Sequence, residues 1–211
     1  MNAPIVMTYS NELAAKAGGG DFLTEGGAHT CVITQAKYVT AGTGSAGVEF
    51  SLETEGGQKA NFINIYYAKK AVAGAAQGEA IKGGQSILHA MMGVLRLNQM
   101  TAIRGADGFV CPEFAGKKIG LFLQKKLTTK SNGNDSYGFE IIVPYNPIDL
   151  KTMREILDNK PAQTIDRISK SYKDRDERQP LKTASGSDNF GASTASSDGG
   201  GYYDNDPGFQ G

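Results

Sequence analysis

Four residues of this chain, His29, Cys31, His89 and Cys111, are of the types that ligate zinc. Their spacing fits no zinc motif, so no metal site is expected from them. A second cluster, Glu49, Glu53 and Glu55, supplies the carboxylates that metal-assisted phosphodiester cleavage would need. Their alternation suits the exposed face of a strand better. Ala115-Gly116-Lys117-Lys118 is similar to the end of a phosphate-binding loop, but Cys111 stands where its first glycine belongs and Lys118 replaces the metal-binding hydroxyl. No serine sits in a nucleophile elbow, and no catalytic residue or cofactor is expected. The remaining chemistry is binding. Tyr38, Phe62, Tyr66 and Phe122 are interspersed with Lys69, Lys118, Lys125, Lys126 and Lys130. Aromatic planes can stack unpaired bases, and lysines can neutralise phosphates.

These residues must be carried by strands. Thr30–Thr40 is β-branched and extended, and Val48–Glu53 alternates cleanly between apolar and polar. The Gly-rich stretch 41–47 reads as a loop between them. Glu55-Gly56-Gly57-Gln58 makes a tight turn into a third strand, Ala60–Ala68. A long Ala- and Gly-rich loop precedes a helix over Gln85–Leu97, where Ile87, Leu88, Met91 and Leu95 share one face. Lys117–Lys126 and Tyr137–Val143 are the fourth and fifth strands. They are joined by the turn residues Ser131 to Asp135 and closed by Pro144 and Pro147. With Ile63 and Ile65 inward, Phe62 and Tyr66 face out. With Ile119, Leu121 and Leu123 inward, Lys118, Phe122 and Lys126 face out. With Cys31 and Ile33 inward, Tyr38 faces out. Glu49 and Glu53 would then lie outside strand 2 and repel phosphate there.

Three meandering strands, a helix and a closing hairpin predict a mainly β fold, a five-stranded OB-like barrel with its helix between strands 3 and 4. The expected organisation is a flexible lead over 1–20, with one helical turn near Asn11 to Lys16, then the OB-like domain over 21–147. A helical basic extension follows over 148–182, and a disordered acidic tail over 183–211. In the extension, Ile165, Ile168 and Tyr172 fall at i, i+3 and i+7 beside Lys160, Arg167, Lys170, Lys173, Arg175, Arg178 and Lys182. An ordinary solvated face and a backbone-tracking basic arm are both open readings of those bases.

The chain has 22 basic and 22 acidic residues and no net charge, but the charges are polarised. The tail holds four acids, Asp188, Asp198, Asp204 and Asp206, and no base, so the rest of the chain carries +4. Its Gly- and Ser-rich composition offers too little apolar surface to offset ordering entropy. The two cysteines make no disulfide framework and are expected to be reduced and at least partly buried. No apolar run reaches membrane-spanning length and no secretory pattern opens the chain, so a cytoplasmic location is expected.

The tail's end, Asp204-Asn205-Asp206-Pro207-Gly208-Phe209, resembles the acidic, Pro- and Phe-containing tip of bacterial single-stranded DNA-binding proteins, although Gln210 and Gly211 follow the phenylalanine here. The body, too, resembles a known group. Phe114-Ala115-Gly116-Lys117-Lys118-Ile119-Gly120, the hairpin after it, and Pro144-Tyr145-Asn146-Pro147 are similar to the later part of the core of single-stranded DNA-binding proteins of tailed bacteriophages. That resemblance implies sequence-tolerant binding of single-stranded DNA in replication or recombination. It also implies that Asp204, Asp206, Pro207 and Phe209 recruit partner proteins. The competing expectations are an OB-like module that binds only protein and, further off, a metal-dependent nuclease. Oligomeric state is not legible.

Overall fold

The computed structural model describes Thr8 and residues 21–178, apart from Ala76, Gln77 and Asp107. The helical turn expected at Asn11 to Lys16, Lys182 and the acidic tail lie outside the described residues.

The architecture is mainly β, an open antiparallel sheet with few helices. Strand β1 (Gly27–Thr40) runs antiparallel to β2 (Ala46–Thr54), and β2 to β3 (Lys59–Ala68). Val48, Phe50 and Leu52 alternate along β2 and are all buried, as period-two patterning demands. The β2–β3 turn closes through the Gly57 N–H, which donates to the Thr54 carbonyl at 2.9 Å. Gly57 sits at φ 80, a region that disfavours a Cβ.

Helix α1 (Lys82–Leu95) follows β3 and buries Leu88 and Met91 against the sheet, with Ile87 and Leu95 partly covered. A short hairpin that periodicity did not reveal comes next, β4 (Ile103–Gly105) and β5 (Gly108–Val110). The sheet is completed by β6 (Lys118–Thr129) and β7 (Asp135–Tyr145). β7 runs through Pro144, which pairs opposite Leu121 rather than ending the strand. β7 has only β6 as a ladder partner, and proline is tolerated on such an edge because no N–H is needed there.

β1 changes partners along its free edge. Gly27 to Val32 pair with β6, whereas Lys37 pairs with Val110 of β5. The ladder order is therefore β3-β2-β1-β6-β7. No ladder bonds join β3 to β7 among the described residues, so the sheet is open between these two strands. The main core lies inside its curl. Phe50 meets Phe114 edge-on there, with ring centroids 5.3 Å apart. Cys31 and Cys111 are free thiols buried in this core, and burial pushes the Cys31 thiol up to about 12.

The extension folds back onto the sheet. Its helices are α2 (Met153–Leu157) and α3 (Thr164–Ser171), and Tyr172 of the apolar stripe lies just past the end of α3. Thr152 and Glu155 form a capping box at the start of α2. The second Glu155 oxygen accepts from the Gln163 and Thr164 backbone N–H groups, each at 2.8 Å, and from the Thr164 hydroxyl at 2.9 Å. One buried carboxylate thus fixes the starts of both helices. Burial alone would raise its pKa, but the donors of Thr152, Gln163 and Thr164 outweigh burial and lower it to about 2. After α3, β8 (Arg175–Asp176) lies parallel to Lys126 and Leu127 of β6. No helix among the described residues is long and apolar enough to cross a membrane.

Candidate nucleic-acid interface

The outer face of β3 is built around a bulge. Phe50 pairs with Ile63 and Leu52 with Ala60, so Asn61 and Phe62 together oppose Ser51. Phe62 takes up the extra residue at φ 62, a left-handed conformation that a bulky side chain rarely adopts. The residue is 74% exposed, while Ile63 and Ile65 are buried beneath it. The Asn64 side-chain amide donates to the Phe62 carbonyl at 3.1 Å and braces the bulge. Tyr66, further along, is half-buried and lies against Gly47 of β2. Phe62 and Tyr66 face outward as alternation predicted.

Tyr38 and Phe122 do not. Ile33 pairs with Leu52 and Gln35 with Ser51, leaving Thr34 as an extra residue in β1. The Thr34 hydroxyl donates to the Ser51 carbonyl at 3.0 Å there. One extra residue inverts the faces beyond it. Cys31 and Ile33 point inward before the bulge, and Ala36 and Tyr38 point inward after it. Tyr38 packs on the main core, and burial, with a hydrogen bond to Cys111, raises its phenol above the ordinary range. Phe122 is fully buried in a second cluster with Tyr145 and Ile165, beside Ile168 and Tyr172. The residues from Ile119 to Leu123 are buried on both sides of the strand because α3 covers the outer side.

The lysines expected to grip phosphate are mostly engaged. Lys69 lies 2.7 Å from Glu79, Lys118 2.5 Å from Glu55, and Lys126 2.7 Å from Glu177 and 3.5 Å from Glu140. Lys125 lies 3.9 Å from Glu25, with its ammonium 5.3 Å from the centre of the Tyr137 ring. Lys130, at the β6–β7 turn, is exposed and has no ion pair among the described residues. Of the extension's bases, Lys160 pairs with Asp158, Arg175 with Glu140 and Glu177, and Arg178 with Asp135 and Asp176. Arg167, Lys170 and Lys173 have no ion pair among the described residues, so both readings of the extension's bases stay open.

The carboxylates of β2 are answered across the sheet. Glu49 sits opposite Lys37, and Glu53 opposite Lys59, which offsets the repulsion expected on that face. Lys37 joins the outer face because of the same β1 bulge, and alternation without the bulge hid it. His29 lies in β1, with its ring nitrogen 3.2 Å from the Glu25 carbonyl. Among the described residues no three His, Cys, Asp or Glu side chains converge as a metal site. Asp204, Asp206, Pro207 and Phe209 lie outside the described residues.

Compared with known proteins, the sequence matches no family model and no curated relative.

Proposed function

We propose that this chain binds single-stranded DNA without sequence preference, as a non-enzymatic protein acting in the cytoplasm during phage DNA replication or recombination. On this reading the curled sheet, with the strand order β3-β2-β1-β6-β7 and a helix after β3, is an OB-like barrel left open between β3 and β7. DNA lies across the outer face of β3. The observation that carries the reading is Phe62. A large aromatic residue is held 74% exposed in a left-handed conformation inside a bulge. Both the exposure and the backbone strain cost free energy, and strained residues and bulges concentrate at functional sites. Tyr66 supplies a second aromatic on the same face. The acidic tail, with Phe209 as its apolar anchor and Asp204 and Asp206 beside it, recruits replication or recombination proteins.

Titration of labelled oligo-dT at several salt concentrations tests the proposal. Saturable binding that weakens with salt and exceeds binding to duplex supports it; equal affinity for duplex at matched salt overturns it.

A second reading, an OB-like module that binds only protein, draws support from the ion-paired lysines and from Ile103 and Phe109, each about half exposed on the β4–β5 hairpin. It predicts no saturable binding of oligo-dT.

A further inference from the structure

Gly44 in the β1–β2 loop and Gly47 at the start of β2 lie under two side chains, Lys70 just past β3 and Tyr66 within it. A Cβ on Gly47 would fall 2.7 Å from the Tyr66 ring and 2.8 Å from the Ile65 carbonyl. A Cβ on Gly44 would fall 2.8 Å from both Cγ and Cδ of Lys70. The absence of side chains on Gly44 and Gly47 therefore lets the Lys70 stem and the Tyr66 ring approach the backbone closely. Ala46 pairs with Ala68 between these two contacts, which keeps the ring and the stem at one end of the sheet. Lys69 next door is engaged by Glu79, but Lys70 is exposed and has no acidic partner among the described residues.

We propose that Tyr66 and Lys70 form one composite nucleotide subsite, in which the ring stacks a base and the ammonium meets the phosphate of the same strand. The subsite rests on the single-stranded DNA reading above and adds to it a cation that periodicity did not single out. The chemistry is complementary. The ring has one side against Gly47 and is already oriented, so little ordering is lost on stacking. The Lys70 stem is constrained by the loop, while its charge has no acidic partner among the described residues to give up. The glycines are positioning residues, since they touch no ligand and act by admitting the ring and the stem.

The roles predict different signatures in oligo-dT titrations of the full-length chain. Tyr66→Leu should weaken binding roughly 5- to 150-fold, the range expected for loss of one stacked base, with the salt slope unchanged. Lys70→Gln should make log Kobs against log [salt] less steep by about 0.7, the share of one phosphate contact on a single strand. Gly47→Ala, at a residue without a positive φ, should act through the ring. It should weaken binding in the wild-type background and have much less effect in the Tyr66→Leu background. Thermal melts establish that each variant is folded, and the two surface variants carry the test if Gly47→Ala is not. Wild-type binding with an unchanged salt slope in Lys70→Gln, or unchanged affinity in Tyr66→Leu, overturns the subsite and leaves the DNA reading intact. Failure of the wild type to bind oligo-dT at any salt overturns both.

Discussion

Phe122 meets Tyr172 edge-on, with ring centroids 5.3 Å apart and planes inclined at 72°. The Tyr172 hydroxyl then accepts from the Lys125 backbone N–H at 2.9 Å and donates to Asp174 at 2.8 Å. This contact pins the helical extension to β6 and removes Phe122 from any surface that DNA could reach. Phe122→Ala should therefore destabilise the fold by about 3–5 kcal/mol, as for other buried aromatics. DNA affinity of the folded fraction should not change. Urea unfolding together with oligo-dT titration checks both parts, and a stable variant with weakened binding would return Phe122 to the surface.

Phe62 predicts the opposite pattern. Phe62→Ala should leave thermal stability nearly unchanged and weaken single-strand binding by about 1–3 kcal/mol. Phe62→Gly should raise stability by up to about 1 kcal/mol, because glycine adopts φ 62 without strain. It should lose the same affinity as the alanine variant. A drop in melting temperature in both variants would mean that the ring packs rather than binds.

Glu155 should make the extension acid-labile. Its carboxyl is held at about 2 in the folded state, below the ordinary value of 4.5. The depressed pKa contributes stability that is fully present above about pH 5 and lost as pH falls toward 2. The amount is roughly 2–4 kcal/mol, since each tenfold change in proton affinity corresponds to about 1.4 kcal/mol. Glu155→Gln should remove most of that pH dependence while lowering stability at neutral pH, which unfolding curves between pH 2 and 7 would measure. A variant as pH-dependent as the wild type would assign the acid sensitivity elsewhere.

The β8 strap predicts a gain of binding. A hydrogen bond to Glu177 raises the Lys126 pKa, and the same contact lowers that of Glu177. Glu177→Gln should remove the shorter of the two acidic contacts on Lys126, leaving Glu140 at 3.5 Å, and tighten oligo-dT binding a few-fold at low salt. The gain should fade as salt rises, because exposed charges are screened. An unchanged affinity at low salt would place the DNA path away from the β6–β7 hairpin.

Deleting residues 183–211 removes four carboxylates and no base, leaving +4. Binding to oligo-dT should tighten at low salt, with the gain shrinking as salt rises. Retention of replication and recombination proteins on the immobilised chain should be lost, and Phe209→Ala alone should cause much of that loss. Unchanged affinity at every salt and unchanged retention would leave the tail as an aid to solubility.

The sequence by itself determined the five long strands, the helix after β3 and their order, though not the short strands β4, β5 and β8, because period-two burial and turn residues are local properties. Val48, Phe50 and Leu52 are buried and Phe62 is outward as alternation required. It also held the apolar stripe Ile165, Ile168 and Tyr172, but not what that stripe covers. Only the tertiary structure decided that α3 lies on β6, which buries Phe122, and that Thr34 is a bulge, which turns Tyr38 inward and Lys37 outward. The ion pairs that engage Lys69, Lys118 and Lys126 were equally hidden, since their partners arrive from a loop, the β2–β3 turn, β7 and the extension. The physical reason is common to all three. Alternation reports which residues share a face only while the register is unbroken, and it cannot report what a distant segment will later place on that face.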